Sequence, residues 1–503
     1  MKICFLLQRN FAYVGHAMAL HFKDRYSIDD FCGYVFSRAS LDFLQTQKEI
    51  TYGTLLLDEE VHERYKQETL DIDYLKAFEE AYGIPNLWPY IEVDRLIRHG
   101  QFIRDYPHNT SPYSHEEMLR VFQVHAKAAV HFFDEEKPDC LILSVIGNIG
   151  TMLLYHLAKK RDLPVFFIET TRVGNQFTIT ENIHTLSYVE DVYKKLQSKA
   201  ATYPDERARA HAYVEAFRKA PTPHSSIDSP NVRPVTRGRQ FSFLFPKKMF
   251  ISFRWLIHTY TSYIFDPQRN DYDMIKPWHY LWDRLKRKMR VLIGFDDLYD
   301  NLDLTKSFAF YPLQHEPEIS LSLFAPFYND QIWVIKQVAK SLPIDFVLYV
   351  KEHPSTFGYR SRFFYKELKK IPQVRLISPT EVSFGITERA KLVFTSTGTT
   401  GFEALMLKKP VIVFGDVFYS LLPMVKRCAA VADLPYLIKE QLERHTHDEV
   451  ALIDLITAVY KESAEIDLTQ IWDIDGTSFM EKKKQAVIPL TDLIASKLRL
   501  MPR

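Results

Sequence analysis

The chain has 503 residues, 46% of them hydrophobic and 14% aromatic, which is enough apolar material for more than one core. Its 64 basic residues face 63 acidic ones, which removes any global argument for nucleic-acid binding or an acidic tail. The cysteines, Cys4, Cys32, Cys140 and Cys428, are scattered without CxxC spacing, so neither a disulfide framework nor a zinc site is expected, and a reducing cytoplasm fits.

The opening MKICFLLQRN is too short in its apolar part for a signal peptide, and no apolar run approaches the length of a membrane span. Ile3–Leu7 reads as a first strand whose end carries Gln8, Arg9 and Asn10, with Gly15 and His16 at the start of a helix. Glycine is too thin here for a dinucleotide fingerprint. Residues 56–135 read as mostly helical and charged, interrupted near Pro85–Pro89 and Pro107–Pro112, with no chemistry beyond surface and packing. Pro138–Leu143 is the next strand, followed by a polar turn, a helix to Lys160 and a strand at Pro164–Ile168. This βαβ unit sets Glu169 and Arg172 at a strand end, as a general base and an anion clamp facing a cleft, or as a pair that merely caps a turn.

Residues 185–232 are helical and polar, turning Pro- and Ser-rich from Pro221 to Pro234, as a linker or exposed insertion would. From Arg233 to Arg290 thirteen Lys/Arg stand against four Asp, interleaved with aromatics such as Phe250, Trp255, Trp278 and Trp282. That mixture suits an anionic membrane surface, with rings at headgroup level and cations on phosphates. An amphipathic insertion packed on its own domain gives the same composition, and no nucleic-acid recognition motif accompanies the charge.

A second α/β run begins with the strand Phe308–Leu313 and the helix Asp330–Lys340. The stretch 346–416 then gives a strand to Val350, a turn with Lys351, His353 and Pro354, a strand at Lys391–Thr395, the loop Ser396-Thr397-Gly398-Thr399-Thr400-Gly401, a helix at Phe402–Leu407 and a strand at Pro410–Phe414. In parallel sheets ligands sit at the carboxyl ends of the strands, where both polar loops fall. A Gly/Ser/Thr loop opening a helix offers backbone N–H groups, hydroxyls and the positive end of the helix dipole to an anion. Lys351 and His353 can add charge from the neighbouring strand end, and Glu403 is placed to cap the helix or bind ribose hydroxyls. A helix-capping loop beside a surface histidine is the bland alternative.

These motifs carry a resemblance. Pro312-Leu313-Gln314-x-Glu316, Lys351-x-His353-Pro354 with Gly358 and Arg360, Thr395-Ser396, Gly401-Phe402-Glu403-Ala404-Leu405, Lys409-Pro410-Val411 and Gly415-x-x-Phe418-Tyr419 together resemble the capsule polysaccharide biosynthesis family, which includes bacterial Kdo transferases. The resemblance covers roughly residues 308–425 and departs from the pattern at Glu352, where a proline is usual. It implies a GT-B-like α/β fold, two Rossmann-like domains facing a cleft, with the nucleotide-sugar donor mainly on the C-terminal one. It implies that His353 and Pro354 hold the donor phosphate with Ser396 and Thr397, that Gln314 and Glu316 belong to the donor site, and that Glu403 meets the ribose. The expected domains are 1–184 on the acceptor side, 185–305 as a basic, aromatic helical insertion, 306–475 for the donor, and 476–503 as a helix returning to the first domain.

The reading is a bacterial glycosyltransferase that moves a sugar, CMP-Kdo being one candidate donor, to a capsular or other glycan or lipid-linked acceptor. His353 and Glu169 are the catalytic candidates; Arg172, Asn10 and His16 are placed on the acceptor side. No Asp-x-Asp pattern falls in a convincing place, so neither a metal nor another cofactor is expected. The expected location is cytoplasmic, peripheral on the inner face of the plasma membrane. A nucleotide-sugar 2-epimerase, a CDP-glycerol-type glycerophosphotransferase and a non-catalytic scaffold of a polysaccharide assembly complex are the rival readings.

Overall fold

The computed structural model describes residues 1–7, 11–100, 111–144, 146–224, 241–242, 245–267, 269–272, 274, 276–353, 356–467 and 478–502. Asn10 and Pro354 lie outside these residues, as do most of the Pro- and Ser-rich stretch and Phe243 of the basic, aromatic segment. The chain forms two compact units. The first takes residues 1–97, 113–213 and 453–503; the second takes 98–112 and 214–452. The helical segment expected over 185–305 is thus divided at 213 between the two.

The first unit is built on β1 (Lys2–Leu7), β2 (Asp30–Val35), β3 (Tyr52–Leu57), β4 (Cys140–Leu143), β5 (Val165–Thr170) and β6 (Gln176–Thr180). With β13 (Ser463–Glu465) from near the far end of the chain, they make one sheet in the order β13-β6-β5-β4-β1-β2-β3. The strands from β3 to β5 run parallel, and β6 turns back antiparallel on β5. Ile3 to Leu7 of β1 are wholly buried, because a parallel strand covered by helices on both faces needs an uninterrupted apolar run. The long C-terminal helix Ser478–Lys497 lays Val487, Leu490 and Ile494 into this core beside Met18 and Phe22 of the helix Phe11–Tyr26. Asp492 on it accepts from Tyr26 Oη at 2.8 Å and lies 2.7 Å from His21 Nε2.

The second unit holds β7 (Phe308–Pro312), β8 (Val347–Lys351), β9 (Val374–Ile377), β10 (Leu392–Thr395), β11 (Val411–Val413) and β12 (Val425–Arg427), all parallel, in the order β12-β11-β10-β7-β8-β9. From β7 the chain winds outward through β8 and β9, returns to the other side of β7 at β10, and winds out again. That is the doubly wound Rossmann-like order, and its reversal point lies between β7 and β10. Each unit is therefore a Rossmann-like α/β layer structure, as expected for each domain.

Six strands, β2, β3, β6, β9, β12 and β13, are not marked in the sequence. β9 and β12 are only four and three residues long, and β2 carries Gly33 and an exposed Asp30, so none has the apolar run that marked β1 or β8. The first helix starts at Phe11, not near Gly15, so His16 sits mid-helix and is buried. The basic, aromatic segment folds as two helices, Pro246–Phe265 and Pro277–Ile293, each with a proline in its first turn, where the missing N–H costs nothing.

Candidate functional site

At the reversal point of the second unit, β10 ends in Thr395 and the chain turns through Ser396 and Thr397 into the helix Thr399–Met406, with Gly398 as its N-cap. The turn is held from β7. Gln314, buried just past that strand, has its amide oriented by its hydrogen-bond partners, the oxygen then accepting from the Thr397 N–H at 2.8 Å and the Gly398 N–H at 2.7 Å. Its own backbone is fixed reciprocally by Gln331, whose amide accepts from Gln314 N at 2.7 Å and donates to Gln314 O at 3.0 Å. Tyr419 Oη donates to Gly398 O at 2.7 Å and presses against the helix so closely that a Cβ at Gly401 would lie 2.2 Å from it. Glycine at 401 is thus a packing requirement of the loop.

This arrangement sorts the expected donor-site residues. Gln314 supports the loop from inside and is not placed on its outer face. Ser396 has no exposed surface, and its hydroxyl lies 3.3 Å from Tyr311 Oη. Thr397, Gly398, Thr399 and Thr400 are half-buried at the carboxyl edge of the sheet. The N–H groups of Thr397 and Gly398 are engaged by Gln314, which leaves those of Thr399 and Thr400 as the first-turn donors for an anion, aided by the helix dipole.

The neighbouring strand β8 ends in Lys351, and the turn after it is built around a buried ion cluster. Arg360 donates to Glu352 Oε1 at 2.5 Å and to Glu316 Oε2 at 3.0 Å, and all three are nearly without exposed surface. Glu352 also accepts from Thr356 Oγ1 at 2.7 Å, Tyr365 Oη at 2.5 Å and the His353 N–H at 2.7 Å. Burial alone raises a carboxyl pKa, but here the guanidinium and these donors outweigh it and hold Glu352 below its ordinary range. Glu316 has fewer donors, and burial pushes it up despite Arg360. Glu352, where the family pattern has proline, and Glu316, expected among the donor ligands, are thus the interior struts of the His353 turn. His353 itself is half-buried, and desolvation lowers its pKa, so it stands as a neutral imidazole. Lys351 is buried, its pKa reduced to about 8 by desolvation, and its ammonium donates to Pro379 O at 3.3 Å. Glu403 lies in the middle of its helix, accepts from the His224 N–H at 3.4 Å, and has a pKa raised to about 7 by burial.

In the first unit Glu169 lies near the end of β5, its pKa raised to about 7 by desolvation that the Arg172 charge partly offsets. Arg172 adopts a left-handed backbone, φ 61°, in the turn between β5 and β6. His16 is buried with its Nδ1 3.0 Å from Tyr52 Oη, and burial lowers its pKa to about 4. Sequence reasoning missed a buried polar knot at the carboxyl edge of this sheet. Asp58 accepts from Tyr34 Oη and, at 2.9 Å, from Asn148 Nδ2, with His125 Nδ1 3.4 Å away. No spacing links these four positions, so no local pattern exposes them.

The chain thus sets a Gly/Ser/Thr loop at the strand-order reversal of the second α/β unit. The family model described as "Capsule polysaccharide biosynthesis protein" matches residues 253–426, so the resemblance read from the motifs is borne out over about a third of the chain and reaches upstream into the basic, aromatic helices. Protein FixF of Sinorhizobium fredii is 28% identical over 133 residues, which is 25% of this chain and 31% of that protein, so the match spans about a third of that relative's length. Among solved structures, a KpsC β-Kdo 2,7-transferase of Thermosulfurimonas dismutans is similar at 14% identity and a TM-score of 0.36, covering 72% of this chain and 89% of that one. A UDP-GlcNAc 2-epimerase of Neisseria meningitidis, bound to UDP-GlcNAc, is similar at 12% identity and a TM-score of 0.24, covering 92% and 99%. Likeness of that degree carries no argument about substrate or chemistry.

Proposed function

We propose that this protein is a GT-B glycosyltransferase that moves a sugar from a nucleotide-sugar donor to a capsular or other surface-polysaccharide acceptor, without a metal. One observation carries the reading. The loop 395–401 stands at the strand-order reversal of the second unit, inside the family-matched segment, with unengaged first-turn N–H donors, and the turn of a neutral His353 follows β8 at the same sheet edge, on the other side of β7.

Sugar transfer requires that charge developing on the departing nucleotide phosphate be met by preorganised donors. The Thr399 and Thr400 N–H groups, the threonine hydroxyls and the helix dipole are such donors, and His353 adds a hydrogen bond from an uncharged ring. Gln314 and the Arg360 cluster hold both loops, so little reorganisation accompanies the reaction. Glu403, with a pKa near 7, takes the ribose; CMP-Kdo is one donor that fits an anion site of this kind. Glu169 is the base of the acceptor side, with Arg172 beside it. The acceptor is a glycan or lipid-linked glycan, and the protein works at the inner face of the plasma membrane.

The test is a thermal-shift series with CMP, UDP, GDP, dTDP and CDP, since a ligand of the folded state raises Tm with its excess over Kd. One nucleotide is expected to shift Tm and so name the donor class. His353→Ala is expected to cut transfer by orders of magnitude at unchanged Tm of the free protein. Full transfer by that variant would remove His353 from the site, and no shift with any nucleotide would overturn the reading.

A further inference from the structure

The helix Pro246–Phe265 has twenty residues and no buried one. Phe250, Phe253 and Phe265 are 67%, 60% and 76% exposed, and Trp278 and Trp282 of the helix Pro277–Ile293 are about half exposed. A helix in a folded protein gains most of its stability from packing an apolar face, so a helix apolar on this scale with nothing among the described residues over it lacks its covering surface. No helix among the described residues is long and apolar enough to cross a membrane. The two helices carry eight Lys/Arg and one Asp, Asp283.

We propose that this helical hairpin lies in the surface of an anionic lipid bilayer and docks the second unit there. The proposal deepens the reading above by naming the part of the protein that meets the membrane. Three features favour a bilayer over another covering. The apolar side chains come with Trp and Tyr, rings suited to the headgroup level, and with cations that pair with lipid phosphates. Those cations sit against the rings: the Arg284 guanidinium stands 4.4 Å over Tyr280 and the Lys286 ammonium 5.5 Å over Trp282, so cation and ring are presented together on the hairpin. A second copy of the hairpin would oppose one basic face with the same basic face, which repels.

The hairpin is built as one piece and rooted in the donor site. Trp255 meets Tyr280 at 4.9 Å and Tyr263 meets Trp278 at 5.4 Å, joining the helices through four rings. At its base Arg287 donates to Tyr359 Oη at 2.7 Å, and Val291 packs where Gly358, at φ +84°, leaves no room for a Cβ. Tyr359 and Gly358 belong to the turn that follows His353 and leads to Arg360. A hairpin fixed in a bilayer surface therefore fixes the His353 turn relative to that surface, as a lipid-linked acceptor requires.

The full-length protein is tested by co-sedimentation with phosphatidylcholine vesicles, with and without phosphatidylglycerol, at low and high salt. Binding to the anionic vesicles, loss of it in high salt and a blue shift of tryptophan emission are expected. Lys247→Gln/Lys248→Gln/Arg254→Gln is expected to weaken binding on the order of 100-fold, and Phe250→Ser/Phe253→Ser to abolish it. Both variants keep the nucleotide-induced Tm shift, which reports the donor site separately, so either reading can fail while the other stands. Absence of wild-type binding, or equal binding to neutral vesicles, overturns the proposal. So does a dimer, or a stable complex with a protein partner, that the phenylalanine variant disrupts while vesicles are left unbound.

Discussion

Arg360 shows how much rests on one side chain. It holds Glu316 and Glu352 in the interior and reaches the Gln314 carbonyl, so it ties β7 to the His353 turn. Removing one partner of a buried ion cluster strands the others, at about 3–5 kcal/mol. Arg360→Met is expected to lose stability on that scale in urea unfolding, with nucleotide binding lost first. Gly401→Ala is expected to abolish the nucleotide Tm shift, because its Cβ displaces Tyr419 from the loop. Glu403 gives a pH signature. Its folded pKa of about 7 lies above the unfolded value near 4.5, so the folded state holds the proton more tightly. Its stability contribution is full below about pH 4.5 and is lost as pH rises through about 7. Glu403→Gln is expected to flatten the Tm profile over that window and to raise Tm at pH 8. Glu449 has the opposite sign: its hydrogen-bonded contact with Arg218 lowers its pKa to about 2, and that contribution disappears as pH falls toward it.

Among the elements, the C-terminal helix Ser478–Lys497 belongs to the core of the first unit although it is some 450 residues distant in sequence from its partner helix. Leu490 is buried there, and Leu490→Ala is expected to cost about 2–5 kcal/mol. A chain ending at residue 477 would leave that core open, and is expected to recover poorly as soluble protein in a sedimentation assay. The strands legible in the sequence are β1, β4, β5, β7, β8, β10 and β11, because each carries an apolar run of the kind that a strand covered on both faces requires. Peripheral strands are short or mixed, and pairing, not composition, makes β9 and β12 strands. The hairpin was legible as basic and aromatic, yet only its exposure in the structure distinguished an uncovered face from a packed one.

At the scale of the molecule, two units with separate cores predict two thermal transitions in calorimetry. Nucleotide is expected to raise the transition of the second unit, and equal shifts in both would mean that the two unfold together. The sequence by itself determined the α/β class, the polar loops at strand ends 351–354 and 396–401, and the family resemblance, because each is local: apolar runs, turn residues and short motifs are written in consecutive positions. Only the tertiary structure decided which of those residues face outward and which serve as struts. Gln314, Glu316, Glu352 and Ser396 sit beside the site in sequence yet are spent inside it, and the Asp58 knot of the first unit unites positions that no spacing connects. The reason is that burial and hydrogen-bond partnership arise from strand order, and strand order brings together residues about 80 positions apart, as β7 does for Gln314 and Thr397.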